Sequence, residues 1–155
     1  VVVVGRFEAT IDLGGGPLGS AGFDDIFVAR LSAAGIHIWS SRYGGSGFDW
    51  AMGVAVDPAG GTILTGYYED SVDFGGGAVA SAGLTDAFVL KLSEAGAYSW
   101  QRIYGGVARD GGHVVAVDPA GRVAVTGVFS QTVDFGGGPI ASSGVTDIFL
   151  LLLGP

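Results

Sequence analysis

An all-β fold built from β-propeller blades is what the sequence predicts, on three observations. A unit of 61 residues recurs through the 155-residue chain. Within each unit the apolar stretches are short and carry apolar side chains on both faces. No window sustains a helical period, because Gly and Pro interrupt every candidate.

The repeat is the firmest of the three. Asp12-Leu13-Gly14-Gly15-Gly16 returns as Asp73-Phe74-Gly75-Gly76-Gly77 and again as Asp134-Phe135-Gly136-Gly137-Gly138. Residues 54–60 return unchanged as 115–121, and residues 12–72 match residues 73–133 at 29 of 61 positions without a gap. Self-similarity at a fixed period is the signature of a repeat architecture. It divides the chain into a partial unit at about 1–48, a full unit at 49–109 and a partial unit at 110–155.

Each unit is expected to hold four strands, and the chain enters the pattern at the second. That strand is the valine-rich run 1–7. A loop of about fifteen residues, rich in Gly, Ser and Asp, leads to the third strand at 25–31. There Phe27, Ala29 and Leu31 face one side while Ile26 and Val28 face the other. The Ala34-Gly35 turn gives the fourth strand, 37–43, whose Ser40, Ser41 and Arg42 suit an outer edge. Gly44-Gly45 and a polar stretch lead to the first strand of the next unit, 52–57, where small Ala55 between valines suits a crowded inner position. The Asp57-Pro58-Ala59-Gly60 turn returns the chain to a second strand at 62–68. The cycle continues through 86–92, 98–104, 113–118, 123–129 and 148–153, giving ten strands. A sheet wetted on one side would alternate apolar with polar. Apolar residues on both faces require cover on both sides, which small antiparallel sheets stacked around an axis provide. A β-sandwich would account for the strands but not for the period.

Composition narrows the function. Apolar residues make up 48 % of the chain and charged residues 14 %, against roughly 25 % charged in ordinary domains, so disorder is excluded. The net charge of −8 and pI of about 4.3 exclude the basic surface that nucleic acid or an anionic membrane would need. No apolar run approaches the ~20 residues of a membrane helix. With no cysteine, disulfides, thiolate catalysis and Cys-ligated zinc are excluded together. Neither an initiator Met nor a leader pattern is present, so the ends read as cuts.

Few residues suggest chemistry. Gly14-x-Gly16-x-x-Gly19 fits a dinucleotide fingerprint, yet no helix follows it, and Ala80 and Ala141 stand at the third glycine in the other units. His37 and His113 have Tyr98 and Met52 as repeat partners, so neither belongs to a recurring site, and no Gly-x-Ser-x-Gly elbow accompanies them. Asp is the informative residue. Asp12, Asp73 and Asp134 recur, as do Asp25, Asp86 and Asp147, Asp49 and Asp110, and Asp57 and Asp118. One reading is turn chemistry, in which the carboxylates bond nearby backbone N–H groups. The other uses strand alternation, which places the first eight of these on one acidic loop face that could take Ca²⁺ or a basic partner. The recurring aromatics are expected to fill space between blades. Trp50 breaks the period, with Gly111 one unit later, and is a candidate ligand contact on the same face.

The combined pattern of Val-Asp-Phe-Gly-Gly-Gly at 133–138, Asp-x-Phe-Val-x-Lys-Leu at 86–92, Trp100, Tyr104-Gly105-Gly106, Val-Ala-Val-Asp-x-x-Gly at 115–121 and Thr126-Gly127 resembles bacterial SBBP-type β-propeller repeats. The resemblance covers essentially the whole chain and departs from the pattern at its ends, with Val4 in place of the Thr of Thr65 and Leu152 in place of Arg30 and Lys91. It implies a propeller module of an exported or cell-surface protein, hence an extracytoplasmic setting, and it implies no activity. The expected function is a non-catalytic binding or scaffold module without a cofactor. A carbohydrate-binding propeller is the first alternative, and an enzyme with its site on the acidic loop face is a remoter one. Four valines at one end and four leucines at the other are too apolar for free edges, so further repeats of a longer chain or copies of itself are expected to cover them.

Overall fold

The computed structural model describes residues 1–154, and among these the regular structure is all strand. The first unit holds β1 (Val2–Phe7), β2 (Thr10–Asp12), β3 (Pro17–Gly19), β4 (Asp25–Leu31) and β5 (His37–Tyr43). The second holds β6 (Trp50–Val56), β7 (Thr62–Tyr68), β8 (Ser71–Asp73), β9 (Ala78–Ala80), β10 (Asp86–Leu92) and β11 (Tyr98–Tyr104). The third holds β12 (Gly111–Val117), β13 (Val123–Phe129), β14 (Thr132–Asp134), β15 (Pro139–Ala141) and β16 (Asp147–Leu153).

Three antiparallel sheets result. The middle one is complete, in the order β6-β7-β10-β11. The first sheet, β1-β4-β5, and the third, β12-β13-β16, are three-stranded counterparts of it. The ten long strands fall where the repeat pattern puts them. Both inner strands, β6 and β12, start two residues earlier than expected, because a bulge at Ala51/Gly53 and again at Gly112/Val114 lets pairing continue past Met52 and His113.

The count of ten strands needs correction to sixteen. The long stretches between second and third strands, expected as loops, each contain a small hairpin: β2–β3, β8–β9 and β14–β15. Their ladders pair only three residues per strand, too short for a periodicity to register in sequence.

The core lies between sheets. Leu64, Tyr68, Phe88, Leu90 and Leu92 of the middle sheet pack with Ile26 and Val28 of the first. Ile63, Ala87 and Val89 point to the opposite face and pack with Val115, Val123, Val125, Phe129 and Phe149 of the third. Strand alternation thus gives the middle sheet two dry faces, as the two-sided apolar pattern predicts.

The β8–β9 and β14–β15 hairpins plug these seams. Val72 and Phe74 enter the first cluster, where the fully buried Phe74 ring lies 4.7 Å from Phe88 of its own unit and 5.8 Å from Tyr43 of the preceding one. Phe135 repeats this between Phe149, at 4.8 Å, and Tyr104, at 5.7 Å. The inner edges converge, with β6 running beside both β1 and β12. That approach requires glycine. A Cβ on Gly53 would lie 2.9 Å from the His113 carbonyl oxygen, and one on Gly112 would lie 2.0 Å from Thr65 Oγ1.

Candidate binding site

Each recurring aspartate accepts at least one backbone N–H. In the glycine turns Asp12 Oδ1 accepts from the N–H groups of Gly14 (2.8 Å) and Gly16 (3.1 Å). Asp73 does the same with Gly75 and Gly77, and Asp134 with Gly136 and Gly138. The flanking glycines have φ near +100°, a conformation that side chains resist, which explains why glycine recurs there. The turn reading accounts for this trio.

Asp49 and Asp110 act as latches between the loops at one end of the sheets. Asp49 Oδ2 accepts from Gly45 N–H at 2.8 Å and Oδ1 from Glu69 N–H at 3.3 Å, while its own N–H donates to the Asp24 carbonyl. Asp110 repeats the arrangement with Gly106, Ser130 and the Thr85 carbonyl. Asp25, Asp86 and Asp147 each accept from the N–H four residues upstream, in Ala21, Ala82 and Ser143. Asp25 also pairs with Arg42, and a Cβ on Gly105 would fall 2.2 Å from the Asp86 carboxyl carbon. Burial pushes the Asp49 carboxyl up to about 6 against its two backbone hydrogen bonds, with Asp25 and Glu69 adding repulsion. Burial likewise raises Asp86, with Asp110 adding to it. Asp57 differs, since the Lys91 ammonium at 2.7 Å holds it below the usual carboxylate range.

The expected acidic rim of eight carboxylates does not form. Asp25, Asp49, Asp86 and Asp110 are buried. The glycine turns of Asp12 and Asp73 fold back to the opposite end, where Gly15 lies against the His37 ring and Gly76 against the Tyr98 hydroxyl. Strand alternation places the loop ends correctly, but the unexpected hairpins carry their tips away. Among the described residues no three His, Asp or Glu side chains come together to hold a metal. His37 is engaged with Ser40 Oγ at 3.0 Å, and His113 sits at the bulge of β12.

Trp50 does have neighbours suited to binding. The Arg6 guanidinium carbon lies 3.8 Å from its ring centroid, its Nε1–H donates to Asp24 Oδ2 at 3.2 Å, and the Tyr67 ring lies 5.3 Å away. An open cavity of about 290 Å³ adjoins it, lined by Phe48, Trp50, Tyr67, Glu69, Thr85 and Arg109. Phe48 also stacks on Phe23 at 4.8 Å, leaving an aromatic pair at the rim that is 42 % and 59 % exposed. Apart from Trp50, sequence reasoning missed this group. The signal was available: Gly111, Val128 and Ser130 stand where Trp50, Tyr67 and Glu69 would repeat.

No known protein-family model matches the chain. It is similar to an uncharacterised WD repeat-containing protein of Acanthamoeba polyphaga mimivirus, 27 % identical over 132 residues. The match covers 75 % of this chain and 9 % of that protein's length. A repeat-containing relative agrees with the repeated all-β sheets described above.

Proposed function

We propose that the three sheets are blades of a β-propeller and that the chain is a non-catalytic binding or scaffold module. The observation that carries the reading is the repeated use of one pair of faces. The first sheet meets the second, and the second meets the third, through equivalent residues: Ile26 and Val28 at one seam, Ala87 and Val89 at the next. At the positions that continue this series, Ile148, Leu150 and Leu152 are 81 %, 70 % and 76 % exposed. A further repeat, from a longer chain or from another copy, would dry them, and successive sheets turning about the converging inner strands form a ring. An extracytoplasmic setting and an SBBP-type ancestry fit the sequence pattern.

The carboxylates kept in every unit support a scaffold rather than catalysis, because their oxygens hold loops by backbone N–H groups. Solution mass at micromolar concentration tests the propeller: self-association is expected, and a soluble, cooperatively folding monomer would refute it. Turnover of generic ester, glycoside or phosphate substrates, lost in His37→Ala or His113→Ala, would refute the non-catalytic reading.

A further inference from the structure

We infer that the cavity between Trp50, Tyr67 and Arg109 is a glycan subsite that takes one pyranose ring. This deepens the binding-module reading and rests on it. The first argument is where the repeat is broken. Some positions that hold the repeated frame keep their residue, as the glycine turns and the Asp49/Asp110 latches do. The first strand of the third unit opens on Gly111 and pairs normally, so the sheet does not demand a tryptophan at position 50. Likewise β13 carries Val128 where β7 carries Tyr67, and Ser130 takes the Glu69 position. Phe48 and Arg109 are themselves repeat equivalents with unlike side chains. These divergent residues come from separate stretches of chain, yet they line one cavity.

Chemistry selects the ligand. The Trp50 and Tyr67 rings pack on each other 5.3 Å apart, with Arg6 over Trp50, and the exposed Phe48 ring adds apolar surface to the same lining. The same lining supplies a carboxylate and a guanidinium. Glu69 Oε2 accepts from Phe48 N–H at 3.3 Å, which steadies the side chain and leaves lone pairs for hydroxyl donors. Arg109 is exposed and forms no ion pair among the described residues, so its donors are free for hydroxyl or ring oxygens. A purely apolar ligand would strand both charges. A phosphate would face Glu69, and a basic side chain would face Arg109. A pyranose presents apolar C–H faces to the rings and hydroxyl edges to both charged groups. The volume of about 290 Å³ stands at the small end of ligand cavities and suits one ring of an oligosaccharide.

The test uses an array of immobilised neutral and uronate-containing oligosaccharides, followed by calorimetric titration of the best binder. The variants are Tyr67→Val and Glu69→Ser, the residues that the next unit carries at those positions. Wild type is expected to bind, and each variant to lose at least about tenfold in affinity with its unfolding midpoint unchanged. Absence of binding to every glycan overturns the inference. Binding that persists in both variants removes the site and leaves the binding-module reading intact. Release of reducing ends from a bound glycan would instead overturn the non-catalytic reading while leaving the site in place.

Discussion

Replacing Phe74 by alanine removes a fully buried ring that lies 4.7 Å from Phe88, 5.8 Å from Tyr43 and 6.1 Å from Tyr68. Truncating a buried Phe costs about 3–5 kcal/mol through lost transfer energy and the cavity left behind. Three aromatic partners, each contributing about 0.5–1.5 kcal/mol beyond area, place the loss toward the upper end. With a urea m-value of about 2 kcal/mol/M, the unfolding midpoint drops by about 2 M. The repeat supplies an internal control. Leu13 holds the equivalent position in the first unit, where the described residues place no earlier sheet against it and where it is only half-buried. Leu13→Ala is expected to cost about 1 kcal/mol or less. Urea titration followed by far-ultraviolet circular dichroism measures both. A midpoint shift for Phe74→Ala below about 0.5 M, or one matched by Leu13→Ala, would refute the assignment of the hairpins as plugs between sheets.

The raised Asp49 carboxyl makes stability depend on pH with a defined sign. The folded state binds this proton more tightly than the unfolded chain, so stability from this group is greatest below about pH 4 and is lost as pH rises to about 6, by about 1–2 kcal/mol after allowance for screening. Asp49→Asn should flatten that slope in thermal unfolding scans across the same interval, and an unchanged slope would show that Asp49 is not its source. On the open face of the third sheet, Leu150→Lys with Leu152→Lys should abolish self-association in sedimentation velocity while moving stability by no more than about 0.5 kcal/mol, because both side chains are largely exposed. Association that survives the double change would place the contact elsewhere.

The long strands were legible because period and alternation both speak for them. Residues 86–92 carry apolar side chains on either parity, and the structure buries Phe88 and Leu90 in one cluster and Ala87 and Val89 in the other. The hairpins were not legible, since Ser71-Val72-Asp73 and Ala78-Val79-Ala80 are each too short to show a pattern. Missing them misplaced the Asp12 and Asp73 turns, whose position depends on a fold-back no local signal announces. Burial of Asp49 was equally hidden, because a polar residue in a Gly-rich stretch reads as exposed until its backbone partners at Gly45 and Glu69 are known. The cavity was half visible. Trp50 stood out against Gly111, but Tyr67 and Glu69 join it only through the pairing of β6 with β7.

Because each seam is formed by the same two faces, the chain tolerates change in length at only one step size. A deletion running from any point in one unit to the equivalent point in the next removes 61 residues and brings matching faces together again. Loss of Phe74 together with its hairpin, strands and latch would deliver Phe135 to the ring of Tyr43 that Phe74 had occupied. Duplication works by the same logic in reverse, inserting a unit whose front and back already fit their neighbours. Lineages carrying this domain are therefore expected to differ in whole units, and the cavity beside Trp50 to travel with whichever unit bears it.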